Sequence, residues 1–191
     1  MRKWKRVQTA RGPRFRSALE PHEAALLVSL TGSLVEMLDA RDAAAPPDEL
    51  EQITGIKTGD SRPPDDATLR RLLPDFHRPD DGGPQDAQSL NAALRGIYEP
   101  EIIDAKRQAA QRVLDTVPHG GGRLELTEDD AHAWIAAVND VRLVLGTMLQ
   151  IGPDGPERLP RDHPLASHLD VYQWLTVLQE YLVLALVGTS R

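Results

Sequence analysis

The sequence predicts a mainly α fold: a single helical domain over residues 1–191 with a small N-terminal antiparallel β element, a hairpin plus a candidate third strand. Three observations carry this. Several long segments repeat apolar residues at helical spacing. Residues 1–19 alternate with period two instead. Hydrophobic residues make up 40% of the chain, aromatics only 4%, and cysteine is absent, so aliphatic side chains must build a core without disulfides.

The opening "WKRVQTA" and "RFRSAL" flank "RG", and Gly12 supplies the permissive backbone of a turn. A two-residue loop at Arg11-Gly12 would set Trp4 opposite Leu19 and Gln8 opposite Phe15. Alternation then groups Trp4, Phe15 and Leu19 on one face, with Lys5, Arg14 and Arg16 on the other. Arg6 is the charged exception on the apolar face.

A first helix starts at Pro21, behind Glu20 and with Glu23 in its first turn. Its stripe is Leu26, Leu27, Leu30, Leu34, Met37 and Leu38. A Pro- and Gly-rich stretch follows, with a short helix at 47–54. "DATLRRLLPDF" is a second short helix ending at Pro74. A longer helix spans 86–116, with a break at Pro100. "HGGGR" ends it, and lacks the Lys-Ser/Thr of a phosphate-binding loop. "RLEL" alternates and suits a third strand. Thr127 to Asp130 reads as an N-cap with acids in the first turn of a helix over 128–150. The final helix, 168–187, is apolar on nearly every side, which predicts a central position. The loops near 77–86 and 151–167 are expected to be mobile.

Charge is unevenly distributed. Residues 1–19 carry +7 and no acid, whereas the whole chain is −7, so residues 20–191 carry −14. That body repels a phosphate backbone. Only the basic hairpin could contact nucleic acid, weakly; it could equally dock onto an acidic partner or onto the protein's own acidic body. Lys5, Arg14 and Arg16 are therefore the candidate partner or nucleic-acid contacts. "ATLRRLLPDFHRP" offers Arg70, Arg71 and Arg78, but surrounding acids and Pro74 argue against a DNA-reading helix.

No segment reads as a signal peptide or membrane span, so a cytoplasmic protein is expected. No nucleophile elbow, zinc-protease motif or dinucleotide fingerprint is present. His163 and His168 are five apart across a proline and do not form a helical metal pair. No enzyme, cofactor, metal or catalytic residue is expected. Arg142 lies at the edge of the arc of Trp134, Val138, Val141 and Leu145, and a buried guanidinium needs a partner. A buried structural network of Arg142 with Glu180 is therefore expected. Lys106 lies within the arc of Ile102, Ile103, Ala110 and Val113, where its stem can run past small alanines to solvent. A homodimer through an apolar helix face is also open.

The segments "MRKWKRV", "GPRFRSALEPHEAALL", "LRRLLPDF", "WIAAVNDVRLVLGTML" and "VYQWLTVLQEYLV" together resemble the actinobacterial AosR family, long labelled a domain of unknown function. The resemblance covers essentially the whole chain. It implies a transcriptional regulatory protein of the oxidative-stress response that contacts an extracytoplasmic-function sigma factor and raises expression of cysteine-biosynthesis genes. The genes of the family typically lie beside that of the adaptor ClpS, which implies as an alternative an accessory factor of the Clp proteolytic system. The redox trigger described for the family is a disulfide within a Cys-x-x-x-Cys motif near the N-terminus. These 191 residues contain no cysteine, so that trigger cannot operate within them.

Overall fold

The computed structural model describes residues 3–45, 58–77, 84–152, 155–156, 160 and 162–188. The helix expected at 47–54 lies outside the described residues, as do most of the 77–86 loop and parts of 151–167. Three strands, β1 (Lys5–Thr9), β2 (Gly12–Leu19) and β3 (Gly122–Leu126), form one antiparallel sheet in the order β1-β2-β3. The helices are α1 (Pro21–Ala43), α2 (Ala67–Leu72), α3 (Pro84–Thr116), α4 (Glu128–Met148) and α5 (Ala166–Val187). The mainly α class with a small β element is the one the sequence predicts.

The hairpin register differs from the expected one by two residues. Arg6 pairs with Phe15, and Thr9 pairs with Gly12, so the loop is Ala10-Arg11. Gly12 takes φ +94°, a left-handed conformation that closes the turn at little steric cost. Thr9 Oγ1 donates to the Gly12 carbonyl at 2.7 Å and accepts from the Arg11 N–H, tying the turn shut. A slip of two keeps every side chain on its own face, so the expected two-faced ribbon survives the change of register.

Helix starts follow local chemistry. Glu20 and Glu23 form a capping box on α1, the Glu20 N–H donating to Glu23 Oε2 at 2.8 Å. Asp66 accepts from the N–H groups of Thr68 and Leu69 at the start of α2. Thr127 and Asp130 form a second capping box on α4. Gly121, at φ +82°, is pressed against the β2–α1 junction, where a Cβ would stand 2.8 Å from the Pro21 nitrogen. Only glycine fits there.

α3 runs unbroken from 84 to 116 with Pro100 inside it, where a break was expected. Pro100 has no N–H for the Gly96 carbonyl one turn earlier. The backbone N–H of Gly59 donates to that carbonyl at 2.8 Å, so a segment from outside the helix completes its hydrogen bonding.

The central helix is α4, not the last one as expected from its composition. α4 contacts α1, α2, α3, α5 and two strands. Its Trp134 is fully buried, donates Nε1–H to Thr116 Oγ1 at 2.7 Å and meets Trp4 edge-to-face at 5.7 Å. Truncating a buried tryptophan of this kind costs about 3–5 kcal/mol. α5 buries Leu169, Leu175, Leu178, Leu182 and Ala185 but leaves Val177, Val183, Leu184 and Val187 exposed. It packs from one side, on α4 and the hairpin, so apolar composition around its circumference did not make it interior. No helix among the described residues is long and apolar enough to cross a membrane.

Candidate partner-docking site

The inner face of the sheet is closed by Phe15, Leu19, Leu124 and Leu126, all buried. The outer face follows from alternation and register. Lys5 pairs with Arg16, and Arg16 with Glu125, making one row across three strands. Like charges placed opposite each other are unfavourable. Glu125 relieves this by accepting from Arg16 Nε at 2.5 Å. Both groups are well exposed, so the pair contributes at most about 1 kcal/mol to stability and is free to exchange partners.

The result is a surface groove of about 490 Å³ lined by Lys3, Lys5, Arg16 and Arg123, with Glu125 as the one carboxylate among its described residues. Lys3 Nζ lies 5.4 Å from the centre of the Tyr181 ring, a cation–π contact that ties the hairpin end to α5. Two of the three expected contacts, Lys5 and Arg16, line this groove. The third, Arg14, does not. It is largely covered, and its Nη1 donates to the carbonyls of Pro13 and Arg11 at 3.0 and 3.3 Å. Its guanidinium serves its own turn, with its Nε 3.8 Å from Glu125 Oε1. Arg6, the exception on the apolar face, reaches the end of α5 and donates Nη1 to the Leu186 carbonyl at 3.1 Å. There it places a cation at the negative end of a helix. Arg123 was not singled out by sequence, although the alternation of "RLEL" already put it on the face opposite Leu124.

The expected Arg142–Glu180 network is not formed. Arg142 donates Nε to Thr176 Oγ1 at 3.0 Å, Nη1 to Gln179 Oε1 at 2.5 Å and Nη2 to Tyr172 Oη at 3.4 Å. Glu180 is exposed, one residue and about 100° beyond Gln179 on the same helix.

The buried ionic network lies elsewhere. Arg95, Glu99, Arg41 and Asp60 are all less than a tenth exposed. Glu99 accepts from Arg41 Nε at 2.6 Å and also from Arg95 Nη1. Arg41 continues to the Arg62 carbonyl and Asp60, and Arg95 to the Leu73 carbonyl and to Asp75 at 2.8 Å. The network ties α1, α3 and the segments flanking α2 together. Burial pushes the Asp60 carboxyl up, but the backbone and side-chain donors of Arg62 and the charge of Arg41 outweigh it. Its pKa is held below the usual 3.8. Lys106 does not run out to solvent: its Nζ pairs with Asp140 of α4 at 2.7 Å. There burial wins over the lysine, and the Asp140 pKa is raised.

Comparison with known proteins adds to this geometry. Residues 1–186 match the family described as a domain of unknown function, DUF2017. The chain is similar to the oxidative stress regulator AosR of Mycobacterium tuberculosis and of Mycobacterium bovis. The identity is 67% over 195 residues, covering 99% of this chain and 89% of each relative. It is 62% identical to the putative oxidative stress regulator AosR of Mycobacterium leprae, covering 99% of this chain and 90% of that protein. No solved structure matches the chain.

Proposed function

The chain belongs to the DUF2017 family together with the mycobacterial AosR proteins, and from that membership we propose that it is a transcriptional regulatory protein of the oxidative-stress response. It works through protein–protein contact, with an extracytoplasmic-function sigma factor as partner and the outer face of the sheet as docking surface. The observation that carries the reading is 67% identity along 99% of the chain to proteins named oxidative stress regulators.

The surface supports the mode of action. Among the described residues, four cations against one carboxylate line a groove on an otherwise acidic protein. Such a patch steers an acidic segment of a partner into one orientation, while the −14 body discourages a nucleic-acid backbone. Without cysteine, the signal reaches this chain by a route other than its own thiol chemistry. An accessory role in the Clp system rests on the gene neighbourhood of the family, and no contact surface described here argues for it.

Affinity purification from oxidatively stressed cells tests the proposal. A sigma factor should be recovered with the wild-type chain and lost with the triple variant Lys5→Glu, Arg16→Glu, Arg123→Glu. Recovery of none, or equal recovery with the variant, would sink the proposed contact.

A further inference from the structure

Arg142 departs from a pattern that the other covered cations obey. Arg41 reaches Glu99 at 2.6 Å, Arg95 reaches Asp75 at 2.8 Å, Lys106 reaches Asp140 at 2.7 Å and Arg107 reaches Asp39 at 2.7 Å. The three hydrogen-bond partners of Arg142, Thr176, Gln179 and Tyr172, are all neutral, and among the described residues no carboxylate pairs with it. A half-buried guanidinium with neutral partners keeps its full charge where water screens it less.

That charge is held in place. Gln179 donates its Nε2 to the Ile135 carbonyl, which turns Oε1 toward Arg142. Thr176 donates its hydroxyl to the Tyr172 carbonyl and so presents a lone pair to the guanidinium. The Tyr172 ring lies 5.2 Å from the guanidinium carbon. Three donor hydrogens of Arg142 are used in these bonds, and two of its five remain.

Arg142 lines an open cleft of about 630 Å³ between α2, α4 and α5, within the size range of small-molecule sites. Exposed Arg71 of α2 also lines it and is a second cation; its neighbour Arg70 is turned away onto the Pro64 carbonyl. Leu143, Gly146 and Ile151 supply apolar wall. Three of the carbonyls at the end of α4, which would repel an anion, are occupied. Leu145 accepts from Leu149, Gly146 from Ile151 and Thr147 from Gln150.

We propose that this cleft binds a small anionic ligand, its carboxylate or phosphate group held between Arg142 and Arg71 and its apolar part on Leu143, Gly146 and Ile151. The site shares no lining residue with the basic groove on the sheet, and it stands whether or not that groove docks a sigma factor. Ligand occupancy would fix the position of α2 relative to α4.

Amide chemical shifts of the full chain, titrated separately with inorganic phosphate and with propionate at constant ionic strength, test this. The amides of Thr147, Gln150, Ile151 and Gly152 should shift saturably, with a Kd on the order of 1 mM for so small a probe. A response to phosphate alone assigns a phosphate ligand, and one to propionate alone a carboxylate. Arg71→Ala, at an exposed position that leaves the fold intact, should weaken binding about tenfold. Lys5→Glu with Arg16→Glu should leave these shifts unchanged, separating the cleft from the basic groove. The proposal is overturned by no saturable shift at these amides up to about 20 mM of either probe, or by equal affinity in Arg71→Ala.

Discussion

Gly59 donates its backbone N–H to the carbonyl of Gly96 across 2.8 Å, at the point where Pro100 interrupts the hydrogen bonding of α3. Neither glycine is near the other in sequence, and neither is in a left-handed conformation. Gly59 is glycine because of space: a Cβ there would lie 3.0 Å from Cδ and 3.1 Å from Cγ of Pro100.

Gly59→Ala is therefore expected to destabilise the protein by about 1–3 kcal/mol, because the pyrrolidine ring cannot rotate aside. The urea midpoint measures this. In a Pro100→Ala background the clash is gone, and the penalty should shrink by about 1 kcal/mol. Additive effects of the two changes would remove the steric explanation.

Glu99 holds Arg41 and Arg95 in the interior. Glu99→Gln leaves two buried guanidinium groups short of negative charge, at a cost of about 3–5 kcal/mol. Asp75 reaches the same Arg95 but is 57% exposed, so Asp75→Asn should cost under about 1 kcal/mol. Comparable losses in the two variants would show that burial does not set the strength of this network.

Two aspartates should move acid stability in opposite directions. The pKa of Asp60 is lowered, so its stabilisation is complete above the unfolded value near 3.8 and is lost as pH falls through the lower folded value. The pKa of Asp140 is raised, so the native state holds that proton more tightly than the unfolded chain does. Its contribution is most favourable below the unfolded value and declines as pH rises through the folded one. Thermal unfolding between about pH 2 and 6 reads both. Asp60→Asn should flatten the loss of stability in acid, and Asp140→Asn should steepen it.

Arg123 and Arg14 should separate in partner binding. Arg123→Glu reverses a charge in the groove and should weaken binding about tenfold, with a salt dependence reduced to match. Arg14→Glu changes a guanidinium engaged with its own turn and touching the groove only through Glu125 at 3.8 Å, and should alter affinity less. Surface plasmon resonance at graded salt distinguishes the two, and equal effects would mean that the partner covers the whole hairpin rather than the groove.

Much of this fold was legible from short-range chemistry. The two faces of the hairpin came from alternation, and they survived a register shift because two residues is one full period. Thr127 with Asp130, and Glu20 with Glu23, mark helix starts through contacts three residues apart. "RLEL" carried its own assignment as a strand. Each of these signals is complete within a few residues.

Contacts between elements were not legible in this way. Arg41 meets Glu99 across 58 positions, nothing near either residue announces the other, and Arg95 and Glu99, one turn apart, were not singled out by sequence. Arg142 was expected to pair with Glu180, but whether Glu180 or Gln179 faces it depends on how α5 is rotated about its axis. That rotation is set by which leucines of α5 meet α4. The same packing left half of an apolar helix in contact with solvent and made α4 the centre. The sequence by itself determined where helices and strands begin and which face of each strand is charged, because those are local energies. Only the tertiary structure decided which charges are paired and which helix is interior. It also decided that one guanidinium, Arg142, opens onto a cleft. Those outcomes depend on the relative positions of elements distant in the chain.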